Sequence, residues 1–173
     1  MKTLILGGVR SGKSRLAERL AFESGRPVTY IATATAGDAE MSERIAAHRA
    51  RRPADWAVIE TPLALASTLH AHARADGCLI VDCLTLWLTN LLLANDEQAL
   101  ARERQALLDT LAVLPGDILL VGNETGMGIV PLGELTRRYC DAAGWLHQDI
   151  AARCDRVLLT VAGLPLALKG ELP

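Results

Sequence analysis

Gly7-Gly8-Val9-Arg10-Ser11-Gly12-Lys13-Ser14 fills the pattern G-x-x-x-x-G-K-[ST]. It follows the apolar run Thr3–Leu6 and opens Lys13–Glu23, where Leu16, Ala17 and Leu20 share one helical face. A buried strand that ends in glycine and hands over to a helix is the context this pattern requires. Glycines let the backbone turn its N–H groups inward around phosphate oxygens. The helix N-terminus adds its positive end. Lys13 reaches the outer phosphates, and Ser14 offers a hydroxyl to Mg²⁺. The bland alternative is a glycine turn with a chance Lys-Ser, which the strand before and the helix after argue against.

Outward from the loop the chain alternates strand and helix. Val28–Ala32 reads as a second strand, Asp38–Arg52 as a helix stopped by Pro53, and Trp56–Glu60 as a short strand. Pro62–Ala75 reads as a helix with Pro in its first turn. Cys78–Asp82 is a buried strand, and Leu84–Leu114 is helical with a break near Asn95-Asp96. Asp117–Asn123 is a strand, Glu134–Arg153 a helix and Arg156–Val161 the final strand. Strands separated by helices predict a mainly parallel sheet covered on both faces. With the loop, they predict a single-domain α/β fold of the P-loop NTPase (RecA-like) kind over residues 1–173.

Three further segments carry candidate chemistry. A carboxylate at the end of another buried strand is the usual companion of the loop, near Mg²⁺, and Leu79-Ile80-Val81-Asp82 supplies it. A strand-end Asp also serves as a helix cap. Glu60 is a weaker candidate of the same kind. In the predicted helix Asp38–Arg52, Met41, Arg44, Ile45 and His48 share one face, and Arg49, Ala50, Arg51 and Arg52 follow. A histidine among arginines can attack a phosphate while the arginines hold its oxygens. It can equally be a half-buried structural histidine beside solvated arginines. Asn123-Glu124-Thr125-Gly126-Met127-Gly128-Ile129-Val130-Pro131 follows a buried strand, where open α/β sheets bind ligands. His70 and His72 read as surface residues, and His147 lies in a helix without a partner that the sequence names.

Half of the 173 residues are hydrophobic and aromatics are only 3%, so the core is aliphatic. The net charge of −2 gives no global basic field for nucleic acid or an anionic membrane. No stretch approaches the roughly 20 apolar residues of a membrane span, and the N-terminal run is too short for a signal-peptide core. Cys78, Cys83, Cys140 and Cys154 show no metal-like spacing and read as reduced thiols of a cytoplasmic protein.

The chain resembles the bifunctional adenosylcobinamide kinase / adenosylcobinamide-phosphate guanylyltransferases of cobalamin biosynthesis, over essentially its whole length. The likeness rests on Gly7–Ser14, on Tyr30-Ile31-Ala32-Thr33, and on Met41, Arg44-Ile45, His48, Arg52-Pro53, Trp56 and Glu60. It continues through Thr89-Asn90-Leu91-Leu92, Asn123–Pro131 and Ala162-Gly163-Leu164-Pro165 with Lys169. The loop could belong to any P-loop kinase; the His48 and Asn123–Pro131 blocks are far more specific.

The resemblance implies two reactions. ATP or GTP phosphorylates the hydroxyl of adenosylcobinamide, a corrinoid. GMP then passes from GTP to adenosylcobinamide phosphate through a histidine-bound intermediate, and the matching histidine is His48. It implies that Lys13, the loop amides and Mg²⁺ take up charge on the leaving pyrophosphate. Thr33, Ala34, Thr35, Arg49, Ala50, Arg51, Arg52, Glu60 and Asp82 would lie near nucleotide, with Ser14 and Asp82 on the metal. It implies a homotrimer. Two departures are mild: His147-Gln148 stands where relatives often have Asn-Gln, and Asp82 where some carry Glu. Two rival readings are a simple P-loop small-molecule kinase with a structural His48, and a non-enzymatic nucleotide-binding module.

Overall fold

The computed structural model describes residues 1–35 and 53–173. The predicted helix Asp38–Arg52, with His48 and its arginines, falls at 36–52 and lies outside the described residues. The elements are β1 (Lys2–Gly7), α1 (Lys13–Glu23), β2 (Val28–Ala32), β3 (Ala57–Glu60), α2 (Leu65–His72), β4 (Cys78–Asp82), α3 (Leu84–Leu93), α4 (Glu97–Val113), β5 (Asp117–Asn123), α5 (Glu134–Arg153), β6 (Arg156–Val161) and β7 (Leu164–Lys169).

They form one seven-stranded sheet in the order β3-β2-β4-β5-β1-β6-β7. Every pairing is parallel except β6 with β7. The register aligns Gly7 with Asn123 and Thr160, and Ala32 with Glu60 and Asp82. The C-terminal ends of β1 to β6 therefore share one edge, and among the described residues the candidates on Gly7–Ser14, Asp82 and Asn123-Glu124 stand there.

Alternating side chains split the core in two. On one face Leu4, Leu6, Leu79, Val81, Ile118 and Leu120 pack under α2, α3, α4 and α5. On the other, Ile5, Tyr30, Ile80, Leu119, Val121 and Leu158 pack against Leu16, Ala17 and Ala21 of α1 and against Trp56. Helices on both faces explain why the inner strands read as continuous apolar runs.

Four details differ from, or explain, the sequence reading. Helix α2 starts at Leu65, not Pro62, because the preceding residues bend: the Leu65 N–H donates to the Leu63 carbonyl. The break at Asn95-Asp96 is a left-handed Asn95 (φ 51°) followed by Asp96, whose side chain accepts from the Ala99 N–H and caps α4. The thiols are all free, as expected. The sequence reading missed β7. Ala162 (φ 52°) and Gly163 (φ 81°) form a two-residue turn that returns the chain antiparallel to β6. Pro165, a residue type that strands rarely hold, pairs with Thr160, one step from the Val161–Leu164 pair that closes the hairpin. At that step the backbone N–H would point away from β6, so proline costs the ladder nothing. Among the described residues no helix is long and apolar enough to cross a membrane.

Trp87 is fully buried in the larger core, and its indole N–H donates to the Leu63 carbonyl at 2.7 Å. Trp87→Ala should cost about 3–5 kcal/mol, read as a lower urea midpoint with the slope retained.

Candidate phosphate site at the strand ends

The loop is held from beneath. A Cβ at Gly7 would lie 2.4 Å from Ser11 Oγ and 2.5 Å from the Thr160 carbonyl, so only glycine fits. Arg10 (φ 56°) and Gly12 (φ 98°) take left-handed backbone, which turns the chain back into α1. The Gly163 N–H donates to the Ser11 carbonyl at 2.8 Å, so the β6–β7 turn buttresses the loop. Gly8, Val9 and Arg10 are exposed, Ser11 is buried, and Gly12, Lys13 and Ser14 are half-buried. The Lys13 ammonium donates to the Gly8 carbonyl at 3.2 Å. Burial lowers its pKa, while the nearby Asp82 and Cys83 pull it back up.

Asp82 ends β4, two strands from β1, and accepts a hydrogen bond from the Tyr30 hydroxyl at 2.7 Å. That bond fixes the carboxylate while leaving its other oxygen available. A lone carboxylate with the Ser14 hydroxyl is an oxygen donor set suited to Mg²⁺, which keeps its waters and takes its remaining ligands from phosphates. Among the described residues no group of three or more His, Cys, Asp or Glu forms a metal cage.

Thr33 is fully buried, and its hydroxyl is engaged within the fold. It donates to the Cys83 carbonyl at 2.7 Å and accepts from the Cys83 N–H at 2.9 Å. Thr33 thus fixes the residue after Asp82, and Ala34 and Thr35 are left as the more open members of that trio. The Asn90 amide donates to the carbonyls of Thr33 and Pro62, tying the chain after β2 to the chain after β3. Glu60 is exposed at the end of β3. His48, Arg49, Ala50, Arg51 and Arg52 lie outside the described residues.

The segment after β5 adjoins the loop directly. The Glu124 N–H donates to the Gly7 carbonyl at 3.0 Å, and the Asn123 N–H to the Thr85 hydroxyl at 2.7 Å. The Glu124 carboxylate accepts from the Gly126 N–H at 2.6 Å and faces His147 Nδ1 at 3.8 Å. The sequence named no partner for His147; the signal was Gly122, a glycine inside a central strand, which marks a close approach. Beyond Glu124 the segment exposes Met127, Ile129, Val130 and Leu132. Burial pushes the thiols of Cys78 and Cys83 up to about 11 and that of Cys154 up to about 12, so these three stay protonated at neutral pH.

Burial also lowers the His147 pKa below 6.5, although Glu124 opposes this. The unfolded chain then binds the extra proton first as pH falls. The stabilising contribution is complete above about 6.5, the unfolded value, and is lost between there and the folded pKa. Acidification from about pH 7.5 to 5.5 should lower the urea midpoint of the wild type more than that of His147→Asn. In a separate variant, Thr33→Val should cost about 1–3 kcal/mol by leaving the Cys83 amide unpaired.

With this geometry in place, comparison with known proteins is specific. The family model described as cobinamide kinase / cobinamide phosphate guanyltransferase matches residues 3–168. The bifunctional adenosylcobalamin biosynthesis protein CobP of Pseudomonas aeruginosa is 70% identical over 171 residues, covering 99% of each chain. The protein CobU of the same description from Escherichia coli is 38% identical, covering 98% of this chain and 100% of that one. Among solved structures, the RadB recombinase aligns at TM-score 0.53 and 17% identity over 91% of this chain and 73% of that one. The flagellar accessory protein FlaH of Methanocaldococcus jannaschii aligns at 0.54 and 16%, over 98% and 78%. These two likenesses speak to the fold alone.

Proposed function

Because the chain belongs to the cobinamide kinase / cobinamide phosphate guanyltransferase family, we propose that it carries out both reactions at the strand-end edge just described. It is a bifunctional enzyme of cobalamin biosynthesis, and the guanyltransferase half sets it apart from a simple kinase or a nucleotide-binding module. The observation that carries the reading is convergence. The loop Gly7–Ser14, the Asp82 carboxylate and the Asn123-Glu124 pair stand on β1, β4 and β5 at one edge.

In the kinase half, the hydroxyl of adenosylcobinamide attacks the γ-phosphorus of ATP or GTP, and the nucleoside diphosphate leaves. The loop N–H groups and Lys13 bind the phosphates and neutralise charge as it moves onto the leaving oxygen. Ser14 and Asp82 would hold Mg²⁺, with Tyr30 orienting the carboxylate. When bound, Mg²⁺ neutralises phosphate charge and fixes the phosphates in line for transfer.

In the guanylyltransferase half, an imidazole nitrogen of His48 bonds to the α-phosphorus of GTP. The bond from that phosphorus to the bridging oxygen breaks, and pyrophosphate leaves. A phosphate oxygen of adenosylcobinamide phosphate then displaces the imidazole, giving adenosylcobinamide-GDP. Arg49, Arg51 and Arg52 supply cations for the phosphates of this step, with Ala50 between them; Ala34, Thr35 and Glu60 line the nucleotide. We assign the enzyme to the cytoplasm as a homotrimer on the strength of the family likeness.

The decisive measurement uses GTP radiolabelled at the α-phosphate, with Mg²⁺. A phosphoramidate of histidine survives alkali and is lost in acid. The wild type should keep an alkali-stable, acid-labile label, and His48→Ala should carry none. Absence of label from a wild type that still binds GTP would remove the covalent route.

A further inference from the structure

The kinase half has a chemical need that the guanylyltransferase half lacks. Its acceptor is a hydroxyl, which must lose a proton as its oxygen bonds to phosphorus. The other acceptor is a phosphate monoester, whose second pKa of about 6 already leaves it mostly dianionic at neutral pH. A base is therefore required in one half-reaction only.

Position decides among the described carboxylates at this edge. Strands in a sheet stand about 5 Å apart. Glu60 ends β3, four strands from β1, which puts its backbone about 20 Å away. Asp82 is two strands away, about 10 Å, and faces Tyr30 and Lys13. Glu124 follows β5, the strand beside β1, and its own N–H is bonded to the Gly7 carbonyl where the phosphate loop begins. Its side chain is 21% exposed, so the carboxylate can reach solvent and an incoming acceptor.

The surroundings of Glu124 are built rather than incidental. His147 of α5 is 8% exposed. Its Nε2 would stand 3.1 Å from any Cβ at residue 122, so the glycine there makes room for the ring. Its Nδ1 faces Glu124 Oε2 at 3.8 Å, while Oε1 accepts from the Gly126 N–H. Other ionisable groups near that carboxyl are Tyr139 of α5 and, beside Tyr139, Cys83 and Cys140. Burial holds Tyr139 and Cys83 protonated, at about 12 and about 11. Farther along α5, Asp149 is paired with Arg104 of α4. Burial keeps His147 itself neutral at neutral pH, so it meets the carboxylate as an N–H dipole.

We propose that Glu124 is the base that takes the hydroxyl proton in the phosphoryl-transfer half-reaction, and that His147 is its positioning residue. As the acceptor oxygen bonds to the γ-phosphorus and the bond to the leaving diphosphate breaks, the proton passes to a Glu124 oxygen and then to water. His147 packs beside the carboxylate and holds it next to the loop. The inference rests on the kinase half of the function proposed above.

The test assays the two halves separately in the full-length enzyme. One assay is phosphorylation of adenosylcobinamide by ATP; the other is labelling of the enzyme by α-labelled GTP, in which no acceptor hydroxyl loses a proton. Glu124→Gln should lower kcat of phosphorylation about 10²- to 10⁴-fold with KM for ATP and the GTP label retained. His147→Leu should lower kcat of phosphorylation about tenfold with KM for ATP retained, since the carboxylate loses the side chain that positions it. His147→Asn places a polar side chain near the same point and should return kcat toward wild type. If Glu124→Gln phosphorylates at nearly the wild-type rate, or loses labelling in parallel, Glu124 is a support of the loop and the assignment falls. A wild type that takes the label but phosphorylates nothing overturns the kinase half and this assignment with it, and that failure appears in the wild-type arm alone.

Discussion

The closeness of Gly7 to Ser11 and Thr160 is the constraint from which the site follows. A central strand must end where the loop folds back over it, and the backbone there touches its neighbours at distances that exclude a methyl group. Because β1 lies between β5 and β6, the same residue is bracketed by Asn123 and Thr160. Its carbonyl accepts from Glu124, and the loop it launches is buttressed by Gly163. The phosphate loop is therefore part of the sheet's edge. Anything that moves β5 or the β6–β7 turn moves the loop as well.

The electrostatics are arranged around that edge with few charges. Lys13 is half-buried, and burial weakens its hold on its proton, opposed only in part by Asp82 and Cys83. Asp82 in turn is oriented by a neutral phenol rather than by a cation. A phosphate entering such a place would meet Lys13, loop amides and a helix start, with the Asp82 carboxylate set back two strands. That separation suits an anion on one side and a divalent cation on the other.

Local readings of the sequence succeeded where a single segment contained its own explanation. The Gly7–Ser14 loop, its strand and its helix form one short unit, and five of the elements that follow, Val28–Ala32, Cys78–Asp82, Asp117–Asn123, Glu134–Arg153 and Arg156–Val161, have the bounds that their local sequence suggests. They failed where the explanation lay elsewhere in the chain. Pro62 seemed a helix start, but the Leu63 carbonyl is taken by Trp87, 24 residues on. The hydrogen bonds of Thr33 go to the backbone of Cys83, just past the end of a different strand, which no local reading could show. His147 had no legible partner because Glu124 reaches it only once α5 packs against β5. The family likeness supplied His48, whose spacing among arginines fits a surface helix equally well.

The β6–β7 hairpin has a consequence for how copies of the chain meet. Its outer strand exposes Leu164, Leu166 and Leu168, a surface that in solution invites company. Edge strands usually recruit company by extending the sheet, which is also the route to unwanted aggregation. Pro165 withholds an outward backbone donor near the start of this edge, and Lys169, at its end, turns its ammonium onto the carbonyls of Ala151 and Ala152. The hairpin thus presents leucine side chains while its backbone edge is blunted against extension of the sheet.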